Sequence, residues 1–251
     1  MIGLTKKVAG GAYPSYHLGS KIIKDVVKLL VEEVNSSSSS KKKKYGQAYL
    51  ILINRSIQHI ESIRILTERG LYGDSFVLSR SFRSDLSMIQ YLHFCPDLLD
   101  LYLNENREDY QNNKDFKNAF SESAIDKKLV SMGVNTSYSE FQVLSKASHA
   151  SSFGSQLYCF RGEEKGQYYL SYGPNFQPEK SLLLMRLVAC SYYYLIGLIL
   201  WHWCQADEYL ETENWNKIKS DLGKLKKASE KYSEFSLEEL NKLWDYGLEQ
   251  E

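Results

Sequence analysis

The chain has 251 residues, enough for one good-sized domain or a domain with an appendage. Its 31 Lys+Arg balance 31 Asp+Glu, so no global field draws it to nucleic acid or an acidic membrane; only a local basic patch could. Hydrophobic residues at 43% and charged residues at 25% are ordinary for a folded soluble protein.

Only 4 Pro in the chain favour long helices over a strand-and-turn architecture, and the 19 Tyr suit packing seams and interfaces. Cys95, Cys159, Cys190 and Cys204 are scattered and form no C-x-x-C pair. That disfavours a zinc site and a disulfide framework, and a reducing cytoplasm is the expected setting. The start of the chain lacks the apolar core of a signal peptide.

Residues 1–20 are rich in Gly, Ser and Tyr and read as irregular. Ile22, Val26, Leu29, Leu30 and Val34 recur at helical spacing and predict a short amphipathic helix over 21–34. The serine run 36–40 and the lysine run 41–44 cannot bury apolar surface, so a flexible linker or solvated loop is expected there.

Residues 45–93 read as two helices joined by a tight turn. The first, 47–69, ends at Gly70; the second starts after Gly73, with Asp74 or Ser75 as its cap. So short a connection makes the two antiparallel neighbours. His59 lies among the apolar positions of the first helix and reads as a satisfied core residue. On the second, Leu78, Phe82, Leu86 and Ile89 share one face, while Arg80, Arg83, Ser84, Ser87 and Tyr91 gather opposite. Asp85 falls among the apolar positions. A buried carboxylate needs a donor, so Asp85 either meets a Tyr hydroxyl, His59 or an Arg of a neighbouring helix, or reaches the boundary.

Pro96 breaks the pattern and a helix starts near 97. The charged, Asn-rich stretch 104–128 carries a sparse stripe of Phe116, Phe120 and Ile125, predicts an exposed helix or projecting arm, and ends at Gly133. Ser137-x-x-Glu140 fits a capping box before a helix to about 156, on which Ser145 and His149 share a face. Residues 157–172 alternate as a small β-hairpin. After Pro178 a long helix is expected to about 209. Residues 187–204 carry no Asp, Glu, Lys or Arg, which reaches the lower limit for crossing a bilayer, but a buried central helix is the reading favoured here. His202 in that helix reads as packing. The tail makes two amphipathic helices, one with Trp215, Ile218, Leu222 and Leu225, one opened by the capping box Ser236–Glu239.

The expected fold is therefore all-α: a single domain over 1–251, a multi-helix up-down bundle around a buried helix in the C-terminal half, with one β-hairpin. Residues 1–45 would be an N-terminal helix and linker, 46–210 the core bundle and 211–251 a helical tail. Phosphate-loop, dinucleotide, zinc and esterase signatures are not visible, so no metal or cofactor is implied.

The runs Glu61–Arg64, Arg69–Leu71 and Leu78–Phe82, with Leu144–His149, resemble a bacterial all-helical family known as domain of unknown function 5677. That family pairs an R-S-x-x-E helix with an S-x-x-x-H helix. Arg80 and Ser81 match the first motif, Ser84 stands where the acid should be with Asp85 one place later, and Ser145 and His149 match the second. The family is similar in layout to the HEPN helical ribonucleases of toxin and phage-defence systems. Those carry an Arg and a His separated by four to six residues, and Arg55 and His59 are one residue short of that spacing.

Two functions follow as expectations. One is a metal-independent RNA-cleaving or RNA-binding effector of a phage-defence or toxin system. His149 would be the base, Arg80 or Arg83 the cation, Ser145 the orienting hydroxyl, and Arg83 and Ser84 would bind substrate. Asp85 and His59 would form a buried polar network. The other is a non-catalytic helical module, a homodimer or a docking partner for another helical protein, with Arg80, Ser145 and His149 fixing helix register. A membrane role rests on residues 187–204 alone and is not expected.

Overall fold

The computed structural model describes residues 2–103, 114–134, 160–164, 167–171, 174, 176–205 and 212–233. The described body is all-α. Its helices are α1 (Ile2–Ala9), α2 (Tyr13–Ser36), α3 (Ser40–Glu68), α4 (Tyr72–Phe94), α5 (Leu99–Leu103), α6 (Lys114–Phe120), α7 (Glu122–Ser131), α8 (Pro178–Gln205) and α9 (Glu213–Ser233). Two short strands, β1 (Phe160–Glu164) and β2 (Gln167–Ser171), pair antiparallel with Gly162 opposite Tyr169.

The N-terminal stretch expected to be irregular is helical. Its small residues are a packing surface: Ala9 and Ala12 bury against Met185 and Ala189 of α8. Ser15 donates to the Ala189 carbonyl at 2.9 Å. Gly19 continues that surface, since a Cβ there would fall 2.4 Å from Tyr192 Cβ. The small side chains that read as loop let two backbones approach. The first predicted helix accordingly extends back to Tyr13, with Pro14 in its first turn, where no N–H is needed.

The serine–lysine linker is also corrected. Only residues 37–39 interrupt the helices, and Lys41–Lys44 form the first turns of α3. Ser39 caps that helix by accepting from the Lys42 N–H. Lys42 lies 3.9 Å from Glu33 and over the Trp203 ring, and Lys44 pairs with Asp100 at 2.6 Å. Each of these two ammonium groups has a partner on another element, so the run is held as helix.

The α3–α4 hairpin forms where the turn residues place it. Gly70 has φ 76°, the Leu71 N–H bonds the Leu66 carbonyl and the Gly70 N–H bonds that of Thr67. This is the double closure that a left-handed residue makes possible. Gly133, φ 77°, closes α7 in the same way. The expected cap at Asp74 or Ser75 does not form. Helix α4 starts at Tyr72, and the Ser75 hydroxyl donates back to the Leu71 carbonyl while Thr67 donates to it. The register then runs through Ser75 against Ile63 and Thr67, Asp85 against Ser56 and His59, Ile89 against Tyr49, and His93 against Tyr45.

Of the stretch expected to project, residues 104–113 lie outside the described residues, and residues 114–128 are packed instead. Tyr91, Ile125 and Leu129 form a small core between α4 and α7, with Phe120 against it, so residues 114–134 lie on α4. Burying four apolar side chains outweighs the solubility of the charges between them.

Helix α8 is at the centre. Leu184, Val188, Tyr192, Leu195, Ile196 and Ile199 are buried, and α1, α2, α3, α4 and α9 all contact it. It is long and apolar enough to cross a membrane by length and composition, and 61% of that window is buried inside the protein. Trp203 and Trp215 both donate their indole N–H to Glu33, at 2.8 and 2.6 Å, tying α8 and α9 to α2 through one carboxylate. The capping box at 137–140, its helix, and the second tail helix lie outside the described residues.

Candidate functional site

The packed hairpin brings Asp85 of α4 to Arg55, Ser56 and His59 of α3. Spacing by four puts Arg55 and His59 on one face of α3, and the antiparallel register sets that face opposite Asp85. Asp85 is fully buried, at 0% exposure. One carboxylate oxygen accepts from Arg55 Nε at 2.6 Å and from a terminal nitrogen of the same guanidinium. The other faces His59 Nδ1 at 2.9 Å and takes the Ser56 hydroxyl at 3.4 Å.

Two consequences follow. A carboxylate accepts, so His59 donates from Nδ1 and turns Nε2 away from Asp85; in the neutral ring that second nitrogen carries the lone pair. The buried charge is matched by a guanidinium, which a carboxylate in the core requires. Burial works against the Arg55 charge, but the hydrogen bond and attraction of Asp85 outweigh it, and its pKa is raised. The Arg55 side chain is 48% exposed and the His59 side chain 18%, so the centre opens to solvent on its α3 side while Asp85 forms its floor. The chemical content is a positioned imidazole beside a cation, with a buried carboxylate under both.

The other predicted residues are placed elsewhere. Arg80 and Arg83 are five and two residues before Asp85, which at about 100° per residue turns them to the opposite side of α4. The Arg83 charge is felt at Cys190 of α8, whose thiol burial pushes up to about 11. Ser84 donates to the Glu122 carboxylate of α7 at 2.6 Å. A carboxylate from another helix thus meets the position where the resembled motif carries its own. Ser145 and His149 lie outside the described residues.

A second polar cluster had no signal in the sequence. Glu61 of α3 accepts the Tyr16 hydroxyl at 2.7 Å and that of Tyr192 at 2.9 Å. Arg64 bridges Glu61 and Glu68, and Tyr13 donates to Glu68 at 2.7 Å. Burial first, and then the Glu61 carboxylate, push the Tyr16 hydroxyl up to about 12. These phenols are locked as donors, so the cluster ties α2 and α8 to α3. Among the described residues no group of three or more His, Cys, Asp or Glu is arranged to hold a metal ion.

Comparisons of the chain with protein-family models, with curated proteins and with solved structures return no match.

Proposed function

We propose that this chain is a metal-independent RNA-cleaving effector whose working groups are His59, Arg55 and Asp85. The observation that supports it is the Asp85–His59 contact, 2.9 Å at Nδ1, in a half-open site beside a guanidinium. Cleavage needs a base for a ribose 2′-hydroxyl and a cation for the charge that builds on the phosphate. His59 Nε2 takes the 2′-hydroxyl proton, and the 2′-oxygen attacks the adjacent phosphorus. The bond from phosphorus to the 5′-oxygen breaks, and that oxygen takes a proton from solvent. Arg55 faces the non-bridging oxygens and Asp85 holds the imidazole in position. The products are a 2′,3′-cyclic phosphate and a 5′-hydroxyl. The setting this chemistry fits is a toxin or phage-defence system, in keeping with the HEPN-like layout that the sequence resembles.

The test is incubation of total RNA with purified wild type, His59→Ala, Arg55→Ala and His149→Ala in the presence of a chelator, with analysis of product ends. Cyclic phosphate ends from wild type and from His149→Ala, lost in His59→Ala and Arg55→Ala, are expected. Loss in His149→Ala alone moves the base to His149. No cleavage by wild type removes the catalytic reading.

The competing use of the same residues is structural: Arg55 and His59 both pin Asp85 and so fix the hairpin register. A non-catalytic module of this kind would dock a partner through its exposed apolar side chains, and Trp201, at 59% exposure, is the largest of them. A folded but inactive wild type, together with a self-association that Trp201→Ala abolishes, is its signature.

A further inference from the structure

The opposite end of the α3–α4 hairpin holds a pair of imidazoles that the proposed chemistry does not use. His93, in the last turn of α4, lies against His202 of α8 with ring centroids 4.1 Å apart and planes tilted by 37°. His202 is 2% exposed, and neither of its ring nitrogens has a hydrogen-bond partner among the described residues. Phe94 sets its ring edge-on to His202 at 5.9 Å.

His93 is differently served. Its Nδ1 is 2.8 Å from the Tyr45 hydroxyl, which is 2.7 Å from that of Tyr49, and Tyr49 donates to the Ile89 carbonyl at 3.1 Å. A hydroxyl has one proton to give. Tyr49 gives its own to Ile89, so it accepts from Tyr45, and Tyr45 then accepts from His93 Nδ1–H. The chain runs one way and makes His93 Nδ1 the donor, so Nε2 of the neutral ring is bare. The two rings are pressed together, and burial favours the neutral form of each.

The titratable groups bonded in line with the pair are Tyr45 and, behind it, Tyr49 on α3. Neither imidazole has a carboxylate within ion-pair distance among the described residues. The charged groups on this end of α8, Glu33 of α2 and Lys42 of α3, are engaged with Trp203, the next residue along. An imidazolium formed here would meet no anion among the described residues and would lie against a second ring, and burial without a partner disfavours it.

We propose that the His93–His202 contact is an acid-labile latch, which holds the C-terminal ends of α4 and α8 together at neutral pH and releases them when either ring is protonated. Release lifts the last turn of α8 with Trp203, which stacks on Tyr45, and opens that end of the bundle. Burial, and for His202 the neighbouring His93, lower the pKa of both rings, that of His202 to about 3. The sign is fixed by this direction. The folded state binds fewer protons than the unfolded state below the ordinary imidazole value of 6.5, so stability is constant above it and falls with pH beneath it.

The test is the urea unfolding of the full chain at a series of pH values, for wild type and His202→Phe, with hydrogen exchange on α4 and α8. Between about pH 6.5 and 5.5 the folding equilibrium constant of wild type should drop about fivefold more than that of His202→Phe. Early exchange should be confined to the last turns of α4 and α8. Equal pH dependence in the two proteins overturns the latch. Should His202→Phe fail to fold, a histidine NMR titration of wild type decides. A His202 ring that stays neutral until those turns open supports the latch, and one that titrates near 6.5 in the closed protein overturns it.

Discussion

Asp85 is the residue on which the account turns. Its burial with Arg55 and His59 makes it both the floor of the candidate site and the fixed point of the hairpin. Asp85→Ala strips Arg55, Ser56 and His59 of their shared acceptor and should lower stability by about 3 kcal/mol in urea unfolding, about 1 kcal/mol for each lost bond. His59→Ala keeps the Arg55–Asp85 pair and should lower it by only about 1 kcal/mol. A reversed order would mean that His59, not Asp85, organises the contact. Much of this was legible beforehand. A carboxylate on an apolar face announces a partner, and His59 or an Arg of a neighbouring helix was among the partners expected for Asp85. What could not be read was the choice of cation: Arg80 drew attention by motif resemblance and Arg83 by its place on the polar face of the helix, yet helical rotation turns both away from Asp85. The Glu33 and Glu61 clamps were equally hidden, because their partners Trp215 and Tyr192 are 182 and 131 residues distant.

At the scale of elements, local composition misled at the start of the chain and at the lysine run, as it did at 114–128, each time because a tertiary contact overrode it. The Gly/Ser/Ala-rich start became helix since α8 needed a thin surface against it, and the lysine run became helix since Glu33, Trp203 and Asp100 hold two of its ammonium groups. Two glycines test the first idea. A Cβ at Gly46 would fall 2.1 Å from Val34 Cγ2, and one at Gly19 2.4 Å from Tyr192 Cβ. Although alanine favours helix over glycine, Gly46→Ala and Gly19→Ala should each destabilise by about 1–3 kcal/mol through overpacking, measured by thermal or urea unfolding. Gly223, with open space around its Cβ position, is the control, and Gly223→Ala should be neutral or stabilising. Where periodicity and turn chemistry agreed, as at Gly70 and Pro178, the boundaries were readable from residues alone.

At the scale of the molecule, one apolar helix is enclosed by others that are tied together through buried phenols. Tyr13, Tyr16, Tyr45, Tyr49 and Tyr192 all have raised pKa values, with burial the leading cause in each. A raised folded value means that the neutral hydroxyl is favoured in the native state. Stability from these groups is therefore complete below the ordinary value of 10 and lost as pH rises through about 12 for Tyr16 and beyond for the others. Tyrosinate absorbance should lag in the native protein and appear together with loss of helix on alkaline titration. Tyrosinate formation that runs ahead of unfolding would contradict the locked-donor arrangement. The central place of α8 was legible in its long uncharged run; what surrounds it was not, since no local pattern says which faces meet.

The most direct measurement is the rate at which folded wild type and folded His59→Ala cleave RNA in the presence of a chelator. The account predicts cleavage by wild type that falls at least about a hundredfold in His59→Ala, the size expected when a general base is removed. Equal rates in the two proteins, or no cleavage by either, would contradict it.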